Sequence, residues 1–161
     1  MPHYAALLRG IGPTNPAMRN EKLCAVLAGL GCRDIRALLG SGNLVFESAA
    51  RSPAALETKI EQALSAKLGL SLDVLVRTRE ELEAMVKADP FRGAEHGREW
   101  YLTVTFFKDR RDPLYSKLDR ATLDGPKFMT SLGKRHGKHI TTRTWKTVKK
   151  IVAMMNAPRS S

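Results

Sequence analysis

Cysteine is scarce in this chain: two residues, Cys24 and Cys32, among 161. That is too few for a disulfide framework, and no Cys/His cluster has zinc spacing, so neither a staple nor a structural metal is expected. At this length one compact domain, or two small ones packed together, buries roughly two-thirds of the unfolded chain's surface and needs neither. No apolar run approaches the ~20 residues that span a bilayer, and the stretch from Met1 to Gly12 has no charged n-region and no small-residue cleavage site. A cytosolic protein with no membrane partner is the expectation. H-E-x-x-H, G-x-S-x-G and C-x-x-C are also missing, so no catalytic residue, metal ligand or cofactor is assigned, and whether the protein is an enzyme is left open. The most uneven shortage is of acid: after Asp124 the chain has no Asp or Glu at all.

What is there is base. The chain carries 27 Lys and Arg against 16 Asp and Glu, a formal charge of +11. Residues 1–90 hold 11 basic and 10 acidic side chains, whereas residues 91–161 hold 16 and 6. A one-signed region repels itself, and phosphate or an acidic surface would relieve it; simple solubility is the bland alternative. A hydrophobic fraction of 43% with 27% charged residues is that of a folded globular protein.

The pattern of elements predicts an α+β protein: a ferredoxin-like split βαβ N-terminal half (1–78) packed with a second, smaller α/β half (79–161). His3 to Arg9 reads as a buried central strand ended by Gly10-Ile11-Gly12-Pro13. Leu23, Val26, Leu27 and Leu30 recur at helical spacing in a helix from about Met18 to Leu30, with Gly31 as its cap. Arg33 to Leu39 and Asn43 to Glu47 flank Gly40-Ser41-Gly42 as a hairpin. Ser52-Pro53 starts a second helix whose stripe is Leu56, Ile60, Leu64 and Leu68, and Leu70 to Arg77 is a further strand. Two helices would then cover one face of four antiparallel strands. Thr78-Arg79-Glu80-Glu81 is a capping box for a helix over about Arg79 to Ala88. Trp100 to Phe107 is the strongest strand. Beyond it the expectations are a charged loop from Lys108 to Pro113, a short helix from Leu114 to Leu123, a strand from Lys127 to Leu132, a basic loop from Gly133 to His139, and a last helix starting near Thr141 or Thr142.

That last helix sorts at 100° per residue into Trp145, Val148, Ile151, Val152 and Met155 on one side and Arg143, Lys146, Lys149 and Lys150 on the other. With Lys134, Arg135 and Lys138 of the preceding loop, these cations would surround a phosphate near a helix N-terminus; a merely solvated lysine face is the competing reading. The loop from Gly10 to Asn15 lacks both the P-loop and the dinucleotide pattern, and its prolines remove backbone donors. Arg9 at the strand end is an anion-binding candidate against a surface ion pair. Ser41 reads as a turn residue rather than a nucleophile. The central strands lack the aromatic pattern of RNA-recognition modules, so nucleic acid would be held through phosphates with little base readout.

Tyr4-Ala5-Ala6-Leu7-Leu8-Arg9-Gly10-Ile11, Ser41-Gly42-Asn43-Leu44-Val45-Phe46-Glu47-Ser48 and the ending Thr141-Thr142-Arg143-Thr144-Trp145-Lys146-Thr147-Val148-Lys149-Lys150 together resemble the bacterial domain-of-unknown-function family 1697. The resemblance implies a two-part α+β fold with a ferredoxin-like first half, and no established activity. The chain departs from that family's pattern at Gly12 to Pro16, at Thr144, where the family generally has Asn before the Trp, and between Phe107 and Lys138, where a Y-x-x-x-x-G-x-x-R-S-K stretch is missing.

The expected function is polyanion binding, most simply of nucleic-acid phosphate, through the basic C-terminal half. The alternative is a binder of, or an enzyme acting on, a small phosphorylated or carboxylated metabolite held near Arg9 and the Gly10–Asn15 loop, with Ser41, Asn43 and Trp145 as pocket residues beside Arg143. An acidic protein docking on the basic helix is a third partner class, and the oligomeric state is left open.

Overall fold

A computed structural model describes residues 1–9, 16–38 and 42–157 of the chain. Its first sheet joins β1 (His3–Leu8), β2 (Arg33–Leu38), β3 (Asn43–Glu47) and β4 (Val74–Thr78) in the order β2-β3-β1-β4, every pair antiparallel. Helices α1 (Asn20–Gly29) and α2 (Pro53–Leu68) form the two crossovers. This is the ferredoxin-like order that β-α-β-β-α-β dictates, with β1 central as its apolar run requires.

Local chemistry sets the helix limits. Gly31, at φ +86°, follows the last turn of α1 and donates its N–H to Ala28 O at 3.0 Å. Ser52 Oγ accepts the Ala55 N–H at 3.2 Å, Pro53 fills the first helical position, and Gly69 closes α2 in the left-handed region. One face of the sheet gives Tyr4, Ala6, Leu8, Leu44, Phe46, Val74 and Val76 to a core shared with Leu23, Val26 and Leu27 of α1 and Leu56, Ile60 and Leu64 of α2. Burying each large side chain fully contributes roughly 1.5–3 kcal/mol.

Strand β4 lies at the sheet's edge, where its outward N–H groups have no neighbouring strand. Two carboxylates one helical turn apart on α2 take them: Glu61 Oε2 accepts Val74 N–H at 3.0 Å and Glu57 Oε2 accepts Val76 N–H at 2.8 Å. Glu57 is 4% exposed and also faces Arg77 Nη1 at 3.5 Å, which in turn donates to Val76 O at 2.9 Å.

The capping box is reciprocal. Thr78 Oγ1 accepts Glu81 N–H at 3.1 Å and Glu81 Oε1 accepts Thr78 N–H at 3.2 Å, starting α3 (Arg79–Ala88). A second, three-stranded sheet follows, in the order β6-β5-β7, from β5 (Trp100–Phe107), β6 (Leu114–Asp119) and β7 (Ile140–Thr144). Helix α4 (Gly125–His136) lies between β6 and β7 in sequence and packs Phe128 and Leu132 on Phe107 and Ile140. Helix α5 (Trp145–Asn156) ends the described chain with Trp145, Val148, Ile151 and Met155 buried. The chain divides into two compact units, Met1–Ala84 with Lys150–Ser161, and Met85–Lys149.

Four sequence expectations are corrected by the fold. Leu114 to Asp119 is strand, not helix: Leu114 and Leu118 share a face at spacing four in either structure, and pairing along β5 decides for the strand. Lys127 to Leu132 is helix, because Asp124 is its N-cap, with Oδ1 accepting Lys127 N–H at 3.1 Å and a proline in the first turn. The basic stretch from Gly133 is therefore the last turn of α4, and only Gly137 to His139 connects it to β7. Finally, Ile140 to Thr144, with four β-branched residues in five, pairs with β5, and α5 begins at Trp145.

Candidate functional site

In the second unit, the loop after β5 and the end of α4 meet. Lys108 N–H donates to His139 O at 3.0 Å, and Gly137 N–H donates to Gly133 O at 2.8 Å, which ends the helix. Between these segments lies a cleft of about 290 Å³ lined by Phe107, Lys108, Asp109, Arg111, His136 and His139. The Phe107 ring is its apolar wall. His136 stands edge-on to that ring at 5.2 Å, and the Arg111 guanidinium lies 4.9 Å from its centroid. Asp109, the one carboxylate in the cleft, is engaged by Arg111, whose Nε donates to Oδ2 at 2.9 Å and whose pKa those hydrogen bonds raise. Lys134 and Arg135 in the last turn of α4 and Lys138 just past it are exposed on the same short segment. Cations at a helix C-terminus also offset the helix dipole, so these side chains have a structural use as well.

A larger cleft of about 350 Å³, at the start of α4, contains Leu118, Asp119, Leu123, Asp124, Lys127 and Phe128. Its two carboxylates accept backbone N–H groups of Ala121 and Lys127, so an anion would meet like charge there. The 290 Å³ cleft sets one carboxylate against Lys108 and Arg111, whereas the 350 Å³ cleft sets two against Lys127.

Arg143 does not join the lysines of α5. It sits on β7 opposite Val104, and its Nη1 donates to Thr141 Oγ1 at 2.6 Å and Thr142 O at 3.1 Å. Burial pulls its pKa down to about 10, which leaves it cationic at neutral pH. Lys146, Lys149 and Lys150 are exposed on α5. At the N-terminus of that helix Thr144 Oγ1 accepts Thr147 N–H at 3.2 Å, which satisfies one of the first-turn amides. Trp145 is 2% exposed with its ring 5.2 Å from Phe91, a core position.

In the first unit, Arg9 lies just past β1, its N–H donating to Asp73 O at 3.0 Å. Among the described residues its buried Nη1 has no hydrogen-bond partner. Asn43, 1% exposed, begins β3 and donates its Nδ2 to Leu38 O at 3.4 Å. Ser41 and the Gly10–Asn15 loop lie outside the described residues. Among the described residues, no group of three His, Cys, Asp or Glu side chains is placed to hold a metal ion, and no helix is long and apolar enough to cross a membrane.

Sequence reasoning missed Lys108, Asp109 and Arg111 as site residues, although Lys108-Asp109-Arg110-Arg111 is a visible charge run after the strongest strand. His136 and His139 join them in a cleft between the loop after β5 and the end of α4, a juxtaposition that leaves no spacing signal in the sequence.

A family model described as "Protein of unknown function (DUF1697)" matches residues 1–129. Among solved structures, the conserved bacterial protein SP0830 from Streptococcus pneumoniae superposes with a TM-score of 0.68 at 20% identity, over 96% of this chain and 99% of that one. At that identity the likeness bears on the fold alone. No curated protein matches the sequence.

Proposed function

The chain belongs to the DUF1697 family, and for it we propose polyanion binding, with nucleic-acid phosphate as the ligand, through the basic surface of the second unit. The observation that carries this is the 290 Å³ cleft of Lys108, Arg111, His136 and His139, whose one carboxylate is engaged by Arg111, adjoining exposed Lys134, Arg135 and Lys138. Each phosphate neutralised releases counterions, so log affinity for duplex DNA falls by about 0.9 per neutralised phosphate for each decade of salt. The test is titration with single-stranded and duplex oligonucleotides at low and moderate salt. A steep salt dependence is the expected result; no binding at low salt refutes the reading.

A second reading has its own observation, the buried Arg9 Nη1 with no partner among the described residues. A buried donor left unsatisfied costs about 1–3 kcal/mol, which a small phosphorylated or carboxylated metabolite would recover. A thermal-shift screen of such metabolites tests it. Stabilisation of the native chain but not of Arg9→Ala supports this reading, and stabilisation by none counts against it.

A further inference from the structure

His96 and Arg120 of the second unit present two hydrogen-bond donors to each other. The Leu102 N–H donates to His96 Nδ1 at 3.1 Å, so Nδ1 is the acceptor nitrogen of a neutral ring and Nε2 carries the proton. Arg120 Nη2, which can only donate, lies 3.4 Å from that Nε2. Two N–H groups at this distance cannot satisfy one another; a third group with lone pairs can satisfy both.

The arrangement is held from several directions. Arg120 N–H donates to Glu99 O at 3.0 Å, its guanidinium lies 5.0 Å from the Tyr101 ring centroid, and the His96 ring is 5.0 Å from the same ring. Among the described residues no carboxylate pairs with Arg120. Burial first, then Arg120, then to a smaller degree Lys146 push the His96 pKa below its ordinary value. Arg120 and Lys146 are exposed, so the site is open to solvent.

We propose that His96 Nε2–H and Arg120 Nη2–H together seat one oxygen of a phosphate-type oxyanion. The shared acceptor turns a repulsive donor pair into two charge-assisted hydrogen bonds. This goes beyond the polyanion reading, because it stands or falls with inorganic phosphate alone.

The experiment follows the His96 side-chain resonances by NMR during titration of the full chain with inorganic phosphate. A saturable shift at His96, with its pKa moved upward by the bound anion, is expected in the native chain. Arg120→Gln, at an exposed position, should weaken the apparent affinity about tenfold, the loss of one hydrogen bond to a charged group. A flat His96 signal overturns the site, and so does a saturable shift that Arg120→Gln leaves unchanged. Where phosphate binds, an added oligonucleotide separates the sources: displacement of phosphate assigns the seat to nucleic-acid backbone, and retention assigns it to a free phosphate group. Failure of oligonucleotide binding alone refutes the polyanion reading and leaves this site standing.

Discussion

At the junction of β7 and α5, the Thr144 hydroxyl takes the Thr147 N–H and itself donates to Thr147 Oγ1 at 3.0 Å. The position needs a short side-chain acceptor, and Asn serves as well as Thr. Thr144→Ala should lower stability by about 1 kcal/mol, whereas Thr144→Asn should stay within a few tenths of native, both read from the denaturant midpoint. Cys24 and Cys32 offer a second check at this scale. Burial raises both thiol pKa values, so at neutral pH each holds less thiolate than an exposed cysteine. Alkylation of the native protein should be slow at pH 7, quicken as pH rises toward those raised values, and become fast on unfolding. Fast modification of both at pH 7 in the folded state would contradict their place as packed thiols.

At the scale of elements, helix α2 and strand β4 are tied by Glu57 and Glu61 as well as by the apolar stripe. Glu57→Ala would leave Val76 N–H without that acceptor and remove the carboxylate facing the buried Arg77. Loss of about 3 kcal/mol is expected by chemical denaturation, and a change under 1 kcal/mol would show that the pair contributes little. The first four strands and their helices are legible in the sequence because each carries two agreeing signals: Ser52-Pro53 with the Leu56 stripe, or Thr78 with Glu81. Reading fails where one local pattern fits two structures. Leu114 and Leu118 suit a helix or a strand, and only β5, at hand in the fold but not in sequence, decides. Asp124-Gly125-Pro126 reads as a turn, although Asp followed closely by Pro is also a helix start. The site is legible as composition, the acid-free tail, but not as geometry. Arg143 lies on a strand rather than on a helix face, and Lys108, Arg111 and the two histidines meet only through the packing of α4 on Phe107.

Across the whole molecule, the charge excess falls at the end of α4 with the loop after β5, on the exposed face of α5, and at the His96–Arg120 pair, which Lys146 of α5 also influences. Replacing Lys134, Arg135 and Lys138 with alanine should lower the magnitude of the salt slope by about 0.9 for each phosphate no longer neutralised, and replacing Lys146, Lys149 and Lys150 should have a smaller effect. The reverse ranking would move the binding surface to α5. The acid side chains that the chain does have are concentrated in its first part, and two of them have an outward consequence. An edge strand with free amides is a template on which a second copy can add a strand, the first step toward fibrils. On β4 the Val74 and Val76 amides are already held by Glu61 and Glu57, and the Val76 carbonyl by Arg77. Those groups are not vacant to another chain's ladder, which disfavours the addition of a second copy along this stretch of the edge.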